Sequence, residues 1–246
     1  MASSNGQDLE RAGPHHEGGD GVGEAQGGAT DSVSRRAYLA FVVFALVFVA
    51  WIGAWVLKTW LSAHFTIIEN EWVSFVYWLF MQAGVWIVPA VWLLRTVGSS
   101  VREAFRVPSW KTALVWGSAL GGVFLVLSVG SRILSADWSL PFDSVPSLIS
   151  TVILAPVFEE FLMRGAIMTA LRQKWSFAVA NGITAVLFLA LHCPGWYFLG
   201  VLSEQFLHPL GGAVAVLAVG LLCGLAAKRS SALPAAMIVH LLNNIF

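Results

Sequence analysis

From residue 37 onward the chain alternates long apolar runs with short polar connectors, and the runs are too uniformly apolar for surface helices of a soluble protein. About 20 consecutive apolar residues cross the hydrocarbon core of a bilayer. On that measure the pattern predicts seven spans, at 37–57, 72–94, 112–130, 146–171, 176–192, 210–227 and a short last one at 232–246. Residues 197–207 are also apolar, but the stretch is short and carries Glu204, so a re-entrant or interfacial piece is expected there. Residues 1–34 break the pattern, with Gly, Ser, Asp, Glu and His predominating. A segment with so little to bury cannot offset its ordering entropy and is expected to be a disordered tail. The expected fold is therefore all-α: a polytopic transmembrane helix bundle over 35–246, preceded by a polar tail over 1–34.

Composition agrees with this division. The chain is 57% apolar and 11% charged, against about 25% charged residues in soluble domains. Arg35 and Arg36 ahead of an apolar run resemble the start of a signal peptide. The run at 37–57 exceeds the apolar region of such peptides and lacks a small-residue cleavage site, so a retained first span is expected. Cys193 and Cys223 lie in or beside apolar segments and read as two buried thiols, and neither CxxC nor HExxH occurs.

The net charge is zero, but the cations are unevenly placed. With the N-terminus in the cytoplasm, eleven cations fall on the cytoplasmic side: Arg11, Arg35, Arg36, Arg95, Arg102, Arg106, Lys111, Arg172, Lys174, Lys228 and Arg229. Only Lys58 and Arg132 fall on the other, as the positive-inside rule expects. Treating 197–207 as a true span would put Lys228 and Arg229 outside.

Against this background the polar groups within spans stand out. The fourth span carries Glu159, Glu160 and Arg164, the fifth Asn181 and His192, and the last His240, Asn243 and Asn244. A charged side chain at the centre of a spanning helix costs at least about 2.5–3.5 kcal/mol, so such a group points to function. Helical spacing separates the two acids. Glu160 and Arg164 are four residues apart and can pair, whereas Glu159 projects about 100° away and is left for another partner. His240 and Asn244 share a face, as do Phe188 and His192, and Pro194-Gly195 is expected to end the fifth helix just after His192. Pro156 is expected to kink the fourth helix one turn before the acids. A carboxylate, two imidazoles and an amide brought together are the inventory of a hydrolase, with groups to activate water and donors for an oxyanion. Asn181, Asn243 and Trp196 read as packing or interface residues, and His64 and His208 as solvated.

The three motifs Glu159-Glu160-Phe161-Leu162-Met163-Arg164, Phe188-Leu189-Ala190-Leu191-His192 and His240-Leu241-Leu242-Asn243-Asn244 resemble those of the CPBP family of intramembrane endopeptidases. That group contains type II CAAX prenyl proteases, bacteriocin-immunity (Abi) proteins and myxosortase-like processing enzymes. The resemblance covers about residues 146–246, the expected catalytic core, and leaves the first three spans without a motif. It implies that Glu159, assisted by His192, activates water, that His240 and Asn244 stabilise the oxyanion, and that Glu160 and Arg164 support the site. It implies a membrane-anchored protein as substrate and the lipid bilayer as setting, with no nucleic-acid partner and no cofactor. The expected location is the inner membrane of a bacterium. Two alternatives stand beside it: a zinc protease with Glu159, His192 and His240 as ligands, and a non-catalytic immunity or partner-binding protein.

Overall fold

A computed structural model describes residues 21–136, 142–208 and 211–245, and all regular structure among them is helical. The main helices are α1 (Gly21–His64), α2 (Glu71–Thr96), α3 (Trp110–Leu134), α4 (Val145–Leu171), α5 (Phe177–Phe198), α6 (Gly212–Ser230) and α7 (Leu233–Asn244). The first six are long and apolar enough to cross a membrane, α1 through its part Ser34–His64. Burial is inverted relative to a soluble protein: Phe80 and Val126 are each 70% exposed, while Gln82, Glu160, Arg164, Asn181 and His240 are buried. Apolar surface outside and polar groups inside is the arrangement a lipid solvent selects, and the protein is an integral membrane protein.

The structure bears on four expectations from the sequence. The seventh span is not a full crossing. α7 has 12 residues, about 18 Å of helix against a hydrocarbon core of about 30 Å. It is a partial crossing packed between α3, α4 and α6. Its start is set by the connector, where Ser231 takes a left-handed conformation and Pro234 lies in the first turn. Second, α1 begins at Gly21, within the segment 1–34 set apart by its polar composition. Residues 1–20 of that tail lie outside the described residues.

Third, Pro194 and Gly195 do not end the fifth span, which continues to Phe198. Inside a bundle, neighbouring groups absorb the hydrogen bond a proline withholds. The helix stops instead at Leu199 and Gly200, the latter at φ 75°. The short helix Leu202–Leu207 that follows fits the interfacial piece expected there. Fourth, α4 widens rather than merely kinking at Pro156. Its turns Ile149–Leu154 and Phe161–Ile167 are π-helical and flank the α-helical segment Ala155–Glu160 that carries the two acids. Such widened turns collect at functional sites because they re-aim side chains without breaking the helix.

Close approach of backbones holds the second half together. A Cβ on Gly121 of α3 would lie 2.8 Å from Leu242 Cδ1 and 3.0 Å from Val239 Cα, and one on Gly117 would lie 2.8 Å from Ile238 Cβ. Glycine every fourth residue thus lets α7 rest directly on α3, the packing expected where small residues line a membrane interface. The helix carrying His240 and Asn244 is positioned by this contact. At one end of the bundle, Gln173 Nε2 donates to the Val97 carbonyl at 2.8 Å and Lys174 Nζ meets the Tyr38 hydroxyl at 2.9 Å. The basic connector after α4 therefore lies beside the connector between α2 and α3 and the base of α1, on one face.

Candidate active site

α4 delivers Glu160 and Arg164 into the bundle as a fully buried ion pair, with Arg164 Nη1 donating to Glu160 Oε1 at 3.0 Å. Both side chains also reach neighbouring helices. Arg164 Nη2 donates to the Gly220 carbonyl of α6, and the guanidinium lies 4.9 Å from the Phe188 ring centroid of α5. His240 Nδ1 lies 3.1 Å from Glu160 Oε1 and, facing a carboxylate, carries the hydrogen. The pair thus ties α4 to α5, α6 and α7, which is why the desolvation of two charges can be tolerated.

His240 also changes the expected division of labour between the acids. Its other ring nitrogen, Nε2, lies 4.0 Å from Glu159 Oε2, so one imidazole spans both carboxylates. Glu159 Oε2 is buried and has no hydrogen-bond partner. His240 thus lies between the two carboxylates, with Nδ1 toward Glu160 and Nε2 toward Glu159.

α5 supplies His192. Its Nδ1 lies 2.9 Å from the Phe188 carbonyl, which can only accept, so Nδ1 is the protonated nitrogen and Nε2 is left with its lone pair. The ring is fixed between Phe188 and Trp196, with centroids at 4.7 and 5.7 Å. The Phe188 ring stands edge-on to His240 as well, at 5.4 Å and 87°, and so spaces the two imidazoles.

Glu159, His192, His240 and Asn244 border one cavity of about 630 Å³, together with Gln82 and Thr151. The structure therefore brings together the four residues singled out from the sequence. Asn244 Nδ2 donates to the Thr151 carbonyl at 2.9 Å and keeps its second N–H. Asn243, expected to be packing, instead borders the cavity and donates to Asn244 Oδ1 at 3.0 Å. Asn181 does act as interhelical packing, donating to the Leu221 carbonyl at 3.0 Å. Among the described residues, no three His, Cys, Asp or Glu side chains are grouped so as to hold a metal ion.

Two cavity residues were missed by sequence reasoning. Trp196 borders the cavity beside Glu159 and His192, because α5 continues past Pro194 and keeps it one turn from His192. Gln82, buried on α2, closes the cavity from the half of the chain that carries no motif. A lone amide inside an apolar span was its available signal.

Residues 141–246 match the Rce1-like family, described as type II CAAX prenyl endopeptidase Rce1-like. Over 167 residues the chain is 30% identical to an uncharacterized 24.3 kDa protein of Escherichia coli, across 66% of this chain and 70% of that protein. No solved structure matches.

Proposed function

Because this chain belongs to the Rce1-like family of type II CAAX prenyl endopeptidases, it is an intramembrane peptide-bond hydrolase, and we propose that Glu159 is its general base. The observation that carries this reading is the buried, unpartnered Glu159 Oε2 in a cavity shared with His192, His240 and Asn244. A water between Glu159 and His192 Nε2 meets two acceptors, one for each of its hydrogens, which leaves an oxygen lone pair for attack. The water oxygen bonds to the scissile carbonyl carbon as its proton passes to Glu159. That proton then goes to the leaving amine as the carbon–nitrogen bond breaks. Positioned proton transfer of this kind contributes about 10²–10⁴ in rate.

The tetrahedral oxyanion is met by His240 Nε2 and by the second N–H of Asn244. Glu160 and Arg164 hold the His240 ring in that orientation. One such donor is worth about 10²–10³ in kcat. This chemistry runs without a metal, as a glutamic-type peptidase. Full activity after exhaustive chelation supports it, and activity restored only by added zinc sinks it.

The substrate is proposed to be an exported protein with a membrane anchor, cut from the non-cytoplasmic face in a bacterial plasma membrane, with the N-terminus of the enzyme in the cytoplasm. Support comes from the cavity, which reaches Ser150 and Thr151 near the start of α4 and Gln205 in the connector after α5. An adjoining cavity of about 280 Å³ shares Ser150 and Thr151 and extends to Glu69 and Glu71. All these lie at the end of the bundle opposite the basic connectors. The deciding experiment compares membrane proteins from cells carrying wild type or Glu159→Gln. Loss of C-terminally processed forms in the variant is expected, and identical processing overturns the reading.

A further inference from the structure

The catalytic cavity has a side chamber of about 220 Å³ that begins at Glu159 and His192 and is otherwise walled largely by indoles: Trp51 and Trp55 of α1, Trp86 of α2 and Trp196 of α5. The rings brace one another, with centroids 4.7 Å apart for Trp51 and Trp86 and 6.3 Å apart for Trp51 and Trp55. Trp78 adds a further brace behind Trp55 at 4.6 Å. Two ring nitrogens, Trp55 Nε1 and Trp86 Nε1, are buried and without an acceptor. A buried donor left unpaired costs about 1–3 kcal/mol. Indole N–H groups normally find a partner when buried, and here two residues that wall one apolar chamber carry N–H groups without one. A peptide brings one in each backbone carbonyl.

Size narrows the occupant. A cavity of about 150 Å³ holds one benzene, and by that measure the chamber holds roughly nine carbons, the size of a phenyl or indole group. The chamber is also pre-formed, since Gly195 leaves room for Trp55: a Cβ on that glycine would lie 3.2 Å from Trp55 Cζ2 and 3.8 Å from Trp55 Nε1. We infer that this chamber is a specificity subsite for one aromatic side chain next to the scissile bond, with a neighbouring substrate carbonyl accepting from the Trp55 or Trp86 indole. The inference rests on the proposed peptidase site and deepens it, because the chamber opens on the same Glu159 and His192. It also gives α1 and α2, which carry no family motif, a task in substrate choice.

The test is cleavage-site profiling of purified protein in detergent with a randomised peptide library read by mass spectrometry. Glu159→Gln run in parallel defines which cuts belong to the enzyme. Wild type is expected to show an aromatic residue enriched at one position flanking the cut. Gly195→Leu, which fills the chamber, should lower those cuts at least tenfold relative to cuts at alanine or valine, a shift that misfolding does not produce. Trp55→Phe should keep the aromatic preference while kcat/KM falls about fivefold, because the ring remains and the donor is lost. A profile without an aromatic position, or one that Gly195→Leu leaves unaltered, overturns the inference.

Cuts that survive in Glu159→Gln sink the catalytic reading instead. Judgement of the chamber then passes to binding, as it does if no peptide is cut. In that arm, N-acetyl-tryptophanamide is followed by saturation-transfer NMR on the Glu159→Gln protein. Binding that Gly195→Leu abolishes supports the subsite. No binding, or binding displaced by n-dodecane, assigns the chamber to an acyl chain or to nothing and overturns it.

Discussion

Asn244 Nδ2 lies 2.9 Å from the carbonyl oxygen of Thr151, and that carbonyl is free because of a proline five residues later. In the widened turn the Ala155 N–H goes to the Ser150 carbonyl, one residue further back than in an α-helix. By the same register Thr151 would accept from residue 156, which is Pro156 and has no N–H to give. The carbonyl accepts instead from the helix that carries His240. A break in the backbone ladder of α4 thus docks α7 against the catalytic acids.

Asn244→Ala is therefore expected to lower stability by about 0.5–1.5 kcal/mol, the net worth of a part-buried hydrogen bond, and to lower kcat by about tenfold or more. Pro156→Ala supplies an N–H to Thr151 and should recover part of the stability of Asn244→Ala without recovering kcat. Melting in detergent measures the first effect and turnover the second. Strictly additive stability losses in the double variant contradict the linkage.

Glu159→Gln is expected to reduce cleavage by about 10³-fold or more, because one substitution removes both the base and the carrier that returns the proton. Its melting temperature should stay close to that of wild type, since Gln keeps the shape of Glu and the change reads on chemistry rather than packing. Activity within tenfold of wild type refutes the assignment.

Arg164→Met removes the guanidinium from Glu160 and should destabilise the protein by about 3–5 kcal/mol, the usual result of breaking one side of a buried pair. Adding Glu160→Gln should restore folded protein while leaving turnover low, because His240 then lacks the carboxylate that orients its ring. Accumulation by immunoblot and melting together provide the check. A stable, fully active Arg164→Met enzyme contradicts this account.

Gly121→Val places a side chain where Leu242 Cδ1 and Val239 Cα already lie within 3.0 Å of a bare Cβ. Overpacking of this kind costs about 1–3 kcal/mol. Since α7 must move to relieve it, activity should fall more steeply than stability. Gly122→Val, on the same helix with open space around its Cβ, is the control and should behave as wild type.

Orientation can be read by impermeant thiol labelling in a background without Cys193 and Cys223. Single cysteines at Glu69 and Glu204 are expected to react in intact cells, and cysteines at Arg102 and Lys174 only after lysis. The reverse pattern turns the cavity toward the cytoplasm and removes the exported-substrate proposal.

The apolar pattern alone specified an all-helical membrane protein, because a lipid solvent leaves a chain of that composition few ways to satisfy its backbone. Residue spacing was enough to choose Glu159, His192, His240 and Asn244, since buried polar groups in spans are few and helical phase is calculable. It was also enough to pair Glu160 with Arg164. What spacing could not supply was anything between helices. The bridge of His240 across both glutamates, the carbonyl of Thr151 held by Asn244, and Trp196 and Gln82 on the cavity wall each depend on how two helices meet. The end of α5 and the partial crossing of α7 were misjudged for the same reason, because local signals such as Pro194 or a 15-residue apolar run at 232–246 yield to the packing around them. The sequence determined which groups had to be paid for in the membrane. Only the tertiary structure decided which of them neutralise one another, because that depends on distances between segments far apart in the chain.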